Sequence, residues 1–297
     1  MILSVSRRTD IPALYSDWFF TRLKEGYVLV RNPMNAHQVS KVPLTPELVD
    51  CFVFWTKDPT PMLSELHRLA DYHFYFQVTI TGYDEKIEPG LASKTAIIAS
   101  FQELARQLGK ERVIWRYDPI ILTESLHKDF HLRQFEKLAE ALAGSTEKCV
   151  ISFVDIYRKI VRKMNSLGPV FIEKEHVLDV AEGLSGLARL YGLTLETCSE
   201  ALDFTQLGIM PGKCIDDSLI SRITGQDSPI PKDQNQRPLC GCVASIDIGA
   251  YDTCTNGCLY CYANGARTHH QRHDPRSPLL VGEIGPRDRI TERKMTR

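Results

Sequence analysis

The chain repeats one unit: a short apolar run rich in β-branched and aromatic residues, followed by a longer segment whose apolar residues recur at helical spacing. The runs are ILSVSRR (2–8), CFVFWTK (51–57), HFYFQVTI (73–80), RVIWRYD (112–118), CVISFVD (149–155) and LTLETC (193–198), and VASIDIG (243–249) makes a seventh. Leu14, Trp18, Phe19 and Leu23 mark one helical face that stops at Gly26, and Leu63, Leu66 and Leu69 mark a short helix. Ile97, Phe101, Leu104, Ala105 and Leu108 predict a helix ending at Gly109. Two more follow, one on Leu132, Phe135, Leu138 and Leu142, the other on Val177, Ala181, Leu184 and Ala188 with its stop at Gly192. Parallel neighbours need a crossover between them, and a helix is the usual one, so this alternation predicts an α/β fold, a TIM-barrel-like or partial (β/α) barrel. Residues 1–200 are expected to form the main barrel portion, and 201–297 a cysteine-rich region that completes it. YVLVRNPMNAHQVSKVPL (27–44) interrupts the alternation as a hairpin, and TGQDSPIPKDQNQRP (224–238) has the composition of a linker.

The carboxyl ends of parallel strands converge on one face, where such folds carry their sites. Here the strands end in Arg7, Arg8 and Asp10, Lys57 and Asp58, Thr79 and Thr81, Arg116 and Asp118, Asp155, and Glu196. Of these, Arg8, Lys57, Arg116 and Asp118 are the candidates to face a substrate or cofactor. A net charge of -1 argues against a protein built mainly to hold nucleic acid or a membrane surface. MILSVSRRTDIP lacks the layout of a signal peptide and no stretch approaches a membrane span, so a cytoplasmic location is expected.

Nine cysteines in a reducing compartment read as metal-binding or catalytic before they read as disulfides. Cys51 and Cys149 lie in apolar strands, where a small buried hydrophobe accounts for them. Cys254, Cys258 and Cys261 form a triplet in CTNGCLYCY (254–262), while Cys198, Cys214, Cys240 and Cys242 are spread through the last third of the chain. Three thiolates on one loop suit a 4Fe-4S cluster with one iron left open. The other four close a second site, either a 4Fe-4S cluster or a zinc ion. The absence of paired C-x-x-C knuckles favours iron-sulfur. A third arrangement makes Cys240 or Cys242 the fourth ligand of the triplet's cluster, which closes the open iron.

The spacing of CTNGCLYCY, with Tyr260 before the last cysteine, is that of the radical S-adenosylmethionine enzymes, and the loop resembles the cluster loop of spore photoproduct lyase. Through SRRTDIP, FWTKDP, RYDPI and DIGAYDTCTNGCLYCYAN the chain looks like a full-length member of a bacterial family of unknown function that carries such a cluster near its C-terminus. The resemblance implies a 4Fe-4S cluster on Cys254, Cys258 and Cys261 and S-adenosylmethionine on the open iron, with Tyr260 beside the adenine. It also implies a 5′-deoxyadenosyl radical and an electron donor such as flavodoxin or ferredoxin. Radical enzymes of this kind carry the loop after their first strand, so the late position here implies a permutation in which VASIDIG supplies that strand. The substrate, a small molecule or a nucleic acid, is left open. The tail over 265–297 holds eight Lys or Arg and four Asp or Glu, and His269, His270 and His273 lie in it. The alternative is a non-catalytic iron-sulfur or zinc protein with a structural or electron-transfer role.

Overall fold

The computed structural model describes residues 1–226, 229–265 and 272–293. Its strands are β1 (Ile2–Val5), β2 (Tyr27–Asn32), β3 (Asn35–Pro43), β4 (Cys51–Thr56), β5 (Phe74–Thr79), β6 (Val113–Ile120), β7 (Lys148–Phe153), β8 (Thr194–Thr197), β9 (Met210–Pro211), β10 (Ile246–Asp247) and β11 (Arg289–Glu292). The α-helices are α1 (Ile11–Leu14), α2 (Ser16–Glu25), α3 (Lys94–Leu108), α4 (Lys128–Leu142), α5 (Val161–Met164), α6 (Lys174–Leu190) and α7 (Asp217–Thr224). Eight strands form one sheet in the order β10-β1-β4-β5-β6-β7-β8-β9, every neighbouring pair parallel. β9 and β10 are left as its two edges, so the sheet is barrel-like without closing.

Alternation along each strand sorts side chains between two faces. Phe52, Phe54, Phe74, Phe76, Val113, Trp115 and Tyr117 join Trp18, Phe19, Phe101, Phe135 and Leu184 in the layer between sheet and helices. There Phe19 meets Phe52 and Phe54 edge-on at 5.5 and 5.3 Å, and Trp115 stacks on Phe135 at 4.7 Å. Full burial of side chains of this size stabilises by roughly 2–3 kcal/mol each, which makes this layer the main source of stability.

The opposite, concave face is covered by the chain itself. Ile2, Cys51, Val53, Tyr75, Ile114 and Val150 pack against Cys214, Ile215, Leu219, Ile220, Cys240, Cys242 and Val243. The stretch with linker composition is therefore part of this cover. The Asp233 amide donates to the Cys242 carbonyl at 3.0 Å, and Lys232 bridges Val243. Asp233 itself is buried and accepts from the Asn235 amide at 2.9 Å, forming a local turn that composition alone does not separate from a free linker.

Several local expectations differ in detail. The hairpin forms as β2 and β3, but β11, a strand of polar sequence, adds to it in parallel. The short helix is a 3-10 helix over Thr60–Leu69. VASIDIG contributes only Ile246–Asp247 to the sheet, and the two-residue β9 was not foreseen. The first helix breaks at Tyr15 into α1 and α2, and this sends the Tyr15 hydroxyl to the Thr253 carbonyl at 2.6 Å, beside the cysteine triplet. Gly26 ends α2 with a positive φ of 77°, the left-handed cap its position predicts.

Candidate metal centres

The triplet follows the carboxyl end of β10, and Asp247 sets how that strand meets β1. Its carboxylate accepts from Ser4 Oγ at 2.9 Å, Ser6 Oγ at 2.6 Å, the Arg7 amide at 2.7 Å and the Gly249 amide at 3.0 Å. The guanidinium groups of Arg7 and Arg8 stand 4.0 and 3.9 Å away. One buried acid therefore satisfies four donors where β10, the last strand of the main sheet in chain order, joins the first.

Beyond β10 the backbone folds into a loop tied to segments that leave the carboxyl ends of other strands. The Gly90 amide donates to the Asn256 carbonyl at 2.9 Å and the Leu259 amide to the Ile87 carbonyl at 3.0 Å. Asn264 Nδ2 closes the loop on the Cys254 carbonyl at 2.6 Å. Between Cys254 and Cys258, Gly257 adopts φ +70°, a left-handed conformation that costs a residue with a Cβ far more. Cys258, Cys261 and Tyr260 pack with Tyr83, Ile87, Ile121 and Val154 in an apolar cluster on this face. Burial pushes the Cys254 thiol up to about 12, with Asp10 adding to the effect. Burial also pushes Cys258 up to about 11, although Lys57 pulls the other way. Thiols in such surroundings are inert alone and ionise when a soft cation displaces their protons.

The charged groups around the loop form one network. Glu88 is 3% exposed, accepts from Lys57 Nζ at 2.7 Å and Thr81 Oγ1 at 2.8 Å, pairs with Lys94, and takes the Tyr260 hydroxyl. Burial opposes its charge, but the two lysines outweigh it and hold the carboxyl down at about 2. Lys57 Nζ lies 5.4 Å from the centre of the Tyr260 ring. Asp10 accepts from the Lys57 amide at 2.8 Å, the Ala13 amide at 3.1 Å and Asn256 Nδ2 at 3.3 Å, and burial raises it to about 6.

The other four cysteines gather separately on the concave face. Cys198 Sγ lies 3.1 Å from Cys214 Sγ, and Cys214, Cys240 and Cys242 are buried in one cluster in which Cys242 Sγ accepts from the Ile215 amide at 3.4 Å. Among the described residues no group of three or more His, Cys, Asp or Glu side chains is already arranged to hold a metal ion, so the thiols are collected in a chain rather than pre-set as a shell. Arg116, 4% exposed, donates to Cys214 Sγ at 2.9 Å and to Gln77 Oε1 at 2.7 Å and pairs with Asp118, which also takes the Ser152 hydroxyl. The Trp55 ring has the Arg116 guanidinium 5.2 Å from its centre and that of Arg7 at 6.0 Å. Trp55 Nε1 and Ser199 Oγ are buried without a hydrogen-bond partner.

The sequence candidates thus separate. Lys57 and Tyr260 stand with the triplet; Arg116 and Asp118 stand with the four thiols; Arg8 lies 5.3 Å from the centre of the Tyr251 ring, near Asp247. Asp155 pairs with Arg237. His273 bonds the Leu280 carbonyl at 2.8 Å and packs on Tyr15, a structural use, while His269 and His270 lie outside the described residues. Sequence reasoning assigned no role to Glu88, Asn256, Asp247 or Trp55. Glu88 sits in GYDEKIEPG, a polar loop with no periodicity to single it out, and its burial depends on two lysines brought in from elsewhere.

A family model described as a domain of unknown function, DUF1848, matches residues 2–263. The chain belongs to this family. The DUF1848 match takes in both sets of cysteines and every strand of the main sheet. No curated protein matches the sequence. Solved structures that align include a candidate alpha-L-fucosidase from Bacteroides thetaiotaomicron, at 11% identity over 74% of this chain and 82% of that one, with a TM-score of 0.27. Another is the PaMucR phosphodiesterase in complex with c-di-GMP, at 14% identity over 73% and 98%, with a TM-score of 0.21. Scores this low bear on neither fold nor function.

Proposed function

We propose that this DUF1848 chain is an iron-sulfur protein in which Cys254, Cys258 and Cys261 hold a 4Fe-4S cluster with one iron open to S-adenosylmethionine, and that it acts as a radical enzyme. The observation that carries the reading is the partition of the thiols. Three stand together on one short loop at the carboxyl face of the sheet, and the remaining four gather in a separate cluster on the concave face. The grouping of Cys240 and Cys242 with Cys214 supports an open iron at the triplet over a cluster closed by either of them. The edge position of β10 beside β1 also supports a permuted barrel, since the strand before the cysteine loop lies next to the first strand of the chain.

The donor set, three thiols on an apolar loop with a buried cation nearby, suits a soft and anionic cluster. When bound, such a group would supply one-electron cleavage of S-adenosylmethionine. Burial works against the charge on Lys57, but Glu88 together with Cys258 and Asp10 outweighs it, so a positive charge is held beside Cys258. Glu88 anchors the Tyr260 hydroxyl and thereby the ring that precedes Cys261. Asp10 and Asn256 link the loop to the end of β1. The apolar cluster around Tyr83, Ile87 and Val154 excludes water from one side of the loop.

The test is anaerobic purification and reconstitution, counting iron and labile sulfide, followed by reduction with S-adenosylmethionine and a search for 5′-deoxyadenosine. About four irons that depend on Cys254, Cys258 and Cys261, together with cofactor cleavage, are expected. Wild-type protein that takes up no labile sulfide overturns the proposal.

A further inference from the structure

We propose that Cys198, Cys214, Cys240 and Cys242 form a tetrathiolate site for a single divalent soft cation, zinc above all, on the concave face of the sheet. This does not rest on the reading of the triplet.

Three observations converge. The first is sulfur spacing. A tetrahedral ion with Zn–S bonds of about 2.3 Å sets its thiolates about 3.8 Å apart, whereas thiolates on different irons of a cluster are separated further by the irons themselves. The 3.1 Å between Cys198 and Cys214 lies on the short side of the single-ion distance. Cys214, Cys240 and Cys242 are buried in one cluster, where Cys242 Sγ accepts from the amide of Ile215, the residue after Cys214, at 3.4 Å. At the Cys198–Cys214 pair an inserted ion needs the sulfurs to spread by under about 1 Å, while a cluster requires them to move well apart.

The second is charge. Four thiolates and a divalent ion carry a net charge of about -2, which is costly to bury without compensation. The Arg116 guanidinium donates to Cys214 Sγ at 2.9 Å, and that of Arg7 shares the Trp55 ring with it, at 6.0 and 5.2 Å from the ring centre for Arg7 and Arg116. Their acidic partners, Asp118 and Asp247, pair with these guanidinium groups and hold them in place.

The third is the unpartnered polar lining. Trp55 Nε1 and Ser199 Oγ are buried donors with nothing to bond, and an anionic thiolate site supplies acceptors that the neutral thiols do not. Ser199 follows Cys198 with a positive φ of 59°, a backbone state uncommon outside glycine and one that recurs at functional sites. Bound metal would clasp the end of β8, the segment after β9 and the C-x-C turn before β10. The two open edges of the sheet would then be tied to each other.

The experiment uses the full chain with Cys254, Cys258 and Cys261 all changed to alanine, which removes the triplet's iron and leaves the concave face untouched. Elemental analysis is expected to find about one zinc per chain and no sulfide. Exchange for cobalt(II) should give the intense visible bands and sulfur-to-metal charge transfer of a tetrahedral tetrathiolate. Cys214→Ser in the same background should lose the zinc. Should that variant fail to fold, the cobalt spectrum of the triple variant still decides the matter. Iron with sulfide in the triple variant, a Cys198–Cys214 disulfide found by mass spectrometry, or a folded chain without metal each overturns the proposal. Because iron follows the triplet and zinc follows the four, failure here is distinguishable from failure of the radical-enzyme reading.

Discussion

Replacing Glu88 by glutamine keeps the shape of the side chain and an acceptor for Tyr260 and Thr81 but removes the charge that holds Lys57 and Lys94. A carboxyl lowered from 4.5 to about 2 contributes roughly 3 kcal/mol to stability at neutral pH. Breaking a buried pair from one side costs about 3–5 kcal/mol in general, so the two routes agree at the lower end. The sign follows from the direction of the shift. The folded-state value lies below the unfolded one, so the contribution is fully present above about 4.5 and fades as pH falls toward 2. Glu88→Gln should therefore be less stable than wild type by roughly 3 kcal/mol at pH 7, narrowing to roughly 2 kcal/mol by pH 3.5. For a chain of 297 residues the neutral-pH loss corresponds to a fall in Tm of about 5 °C. Urea unfolding at pH 7, 5 and 3.5, on metal-free protein to keep ligand linkage out, measures it. Equal stability at pH 7, or a gap that stays constant on acidification, would refute the claim that the Lys57–Glu88–Lys94 network is held by charge.

Gly90→Ala should act on the cysteine loop from far away in sequence, because a Cβ there meets the Asn256 backbone at 2.7–2.9 Å; about 2 kcal/mol of destabilisation and weakened iron retention are expected, read by urea unfolding and iron content after reconstitution. His131 is buried and kept neutral, lowered to about 4 by burial, with Nε2 facing the Ile121 carbonyl at 2.9 Å and Nδ1 facing the Tyr117 hydroxyl at 3.0 Å. Its folded-state value lies below the unfolded 6.5, so stability present above 6.5 is lost by about 3 kcal/mol as pH falls toward 4, and His131→Gln should flatten that part of the pH profile. Asp247→Ala strands two hydroxyls and two amides at the β1–β10 junction and should cost about 3 kcal/mol or more, with amide exchange in β1 and β10 rising before that in β6.

The parallel sheet was legible because its cause is local. Alternating apolar residues in runs such as HFYFQVTI and helical spacing in Ile97, Phe101 and Leu104 follow from the two backbone periods, and both appear in the structure as β5 and α3. The cysteine triplet was legible for the same reason, since three thiols within eight residues are neighbours whatever the fold. What the sequence alone left open was every pairing across long separations. Cys198 and Cys214 are sixteen residues apart, and Cys240 and Cys242 return only because the polar stretch 224–238 turns back over the concave face around Asp233. Glu88 became an ion-pair centre by burial between Lys57 and Lys94, and Asp247 a four-donor acceptor by the pairing of β10 with β1. Arg116 and Lys57 read alike as cations at strand ends. The pleat turns Arg116 onto the concave face with the four thiols, and the loop after β4 carries Lys57 to the triplet. Local periodicity decided which elements form; the order and twist of the sheet decided which polar residues met, because contacts between distant segments depend on the packed fold and not on the spacing of residues along the chain.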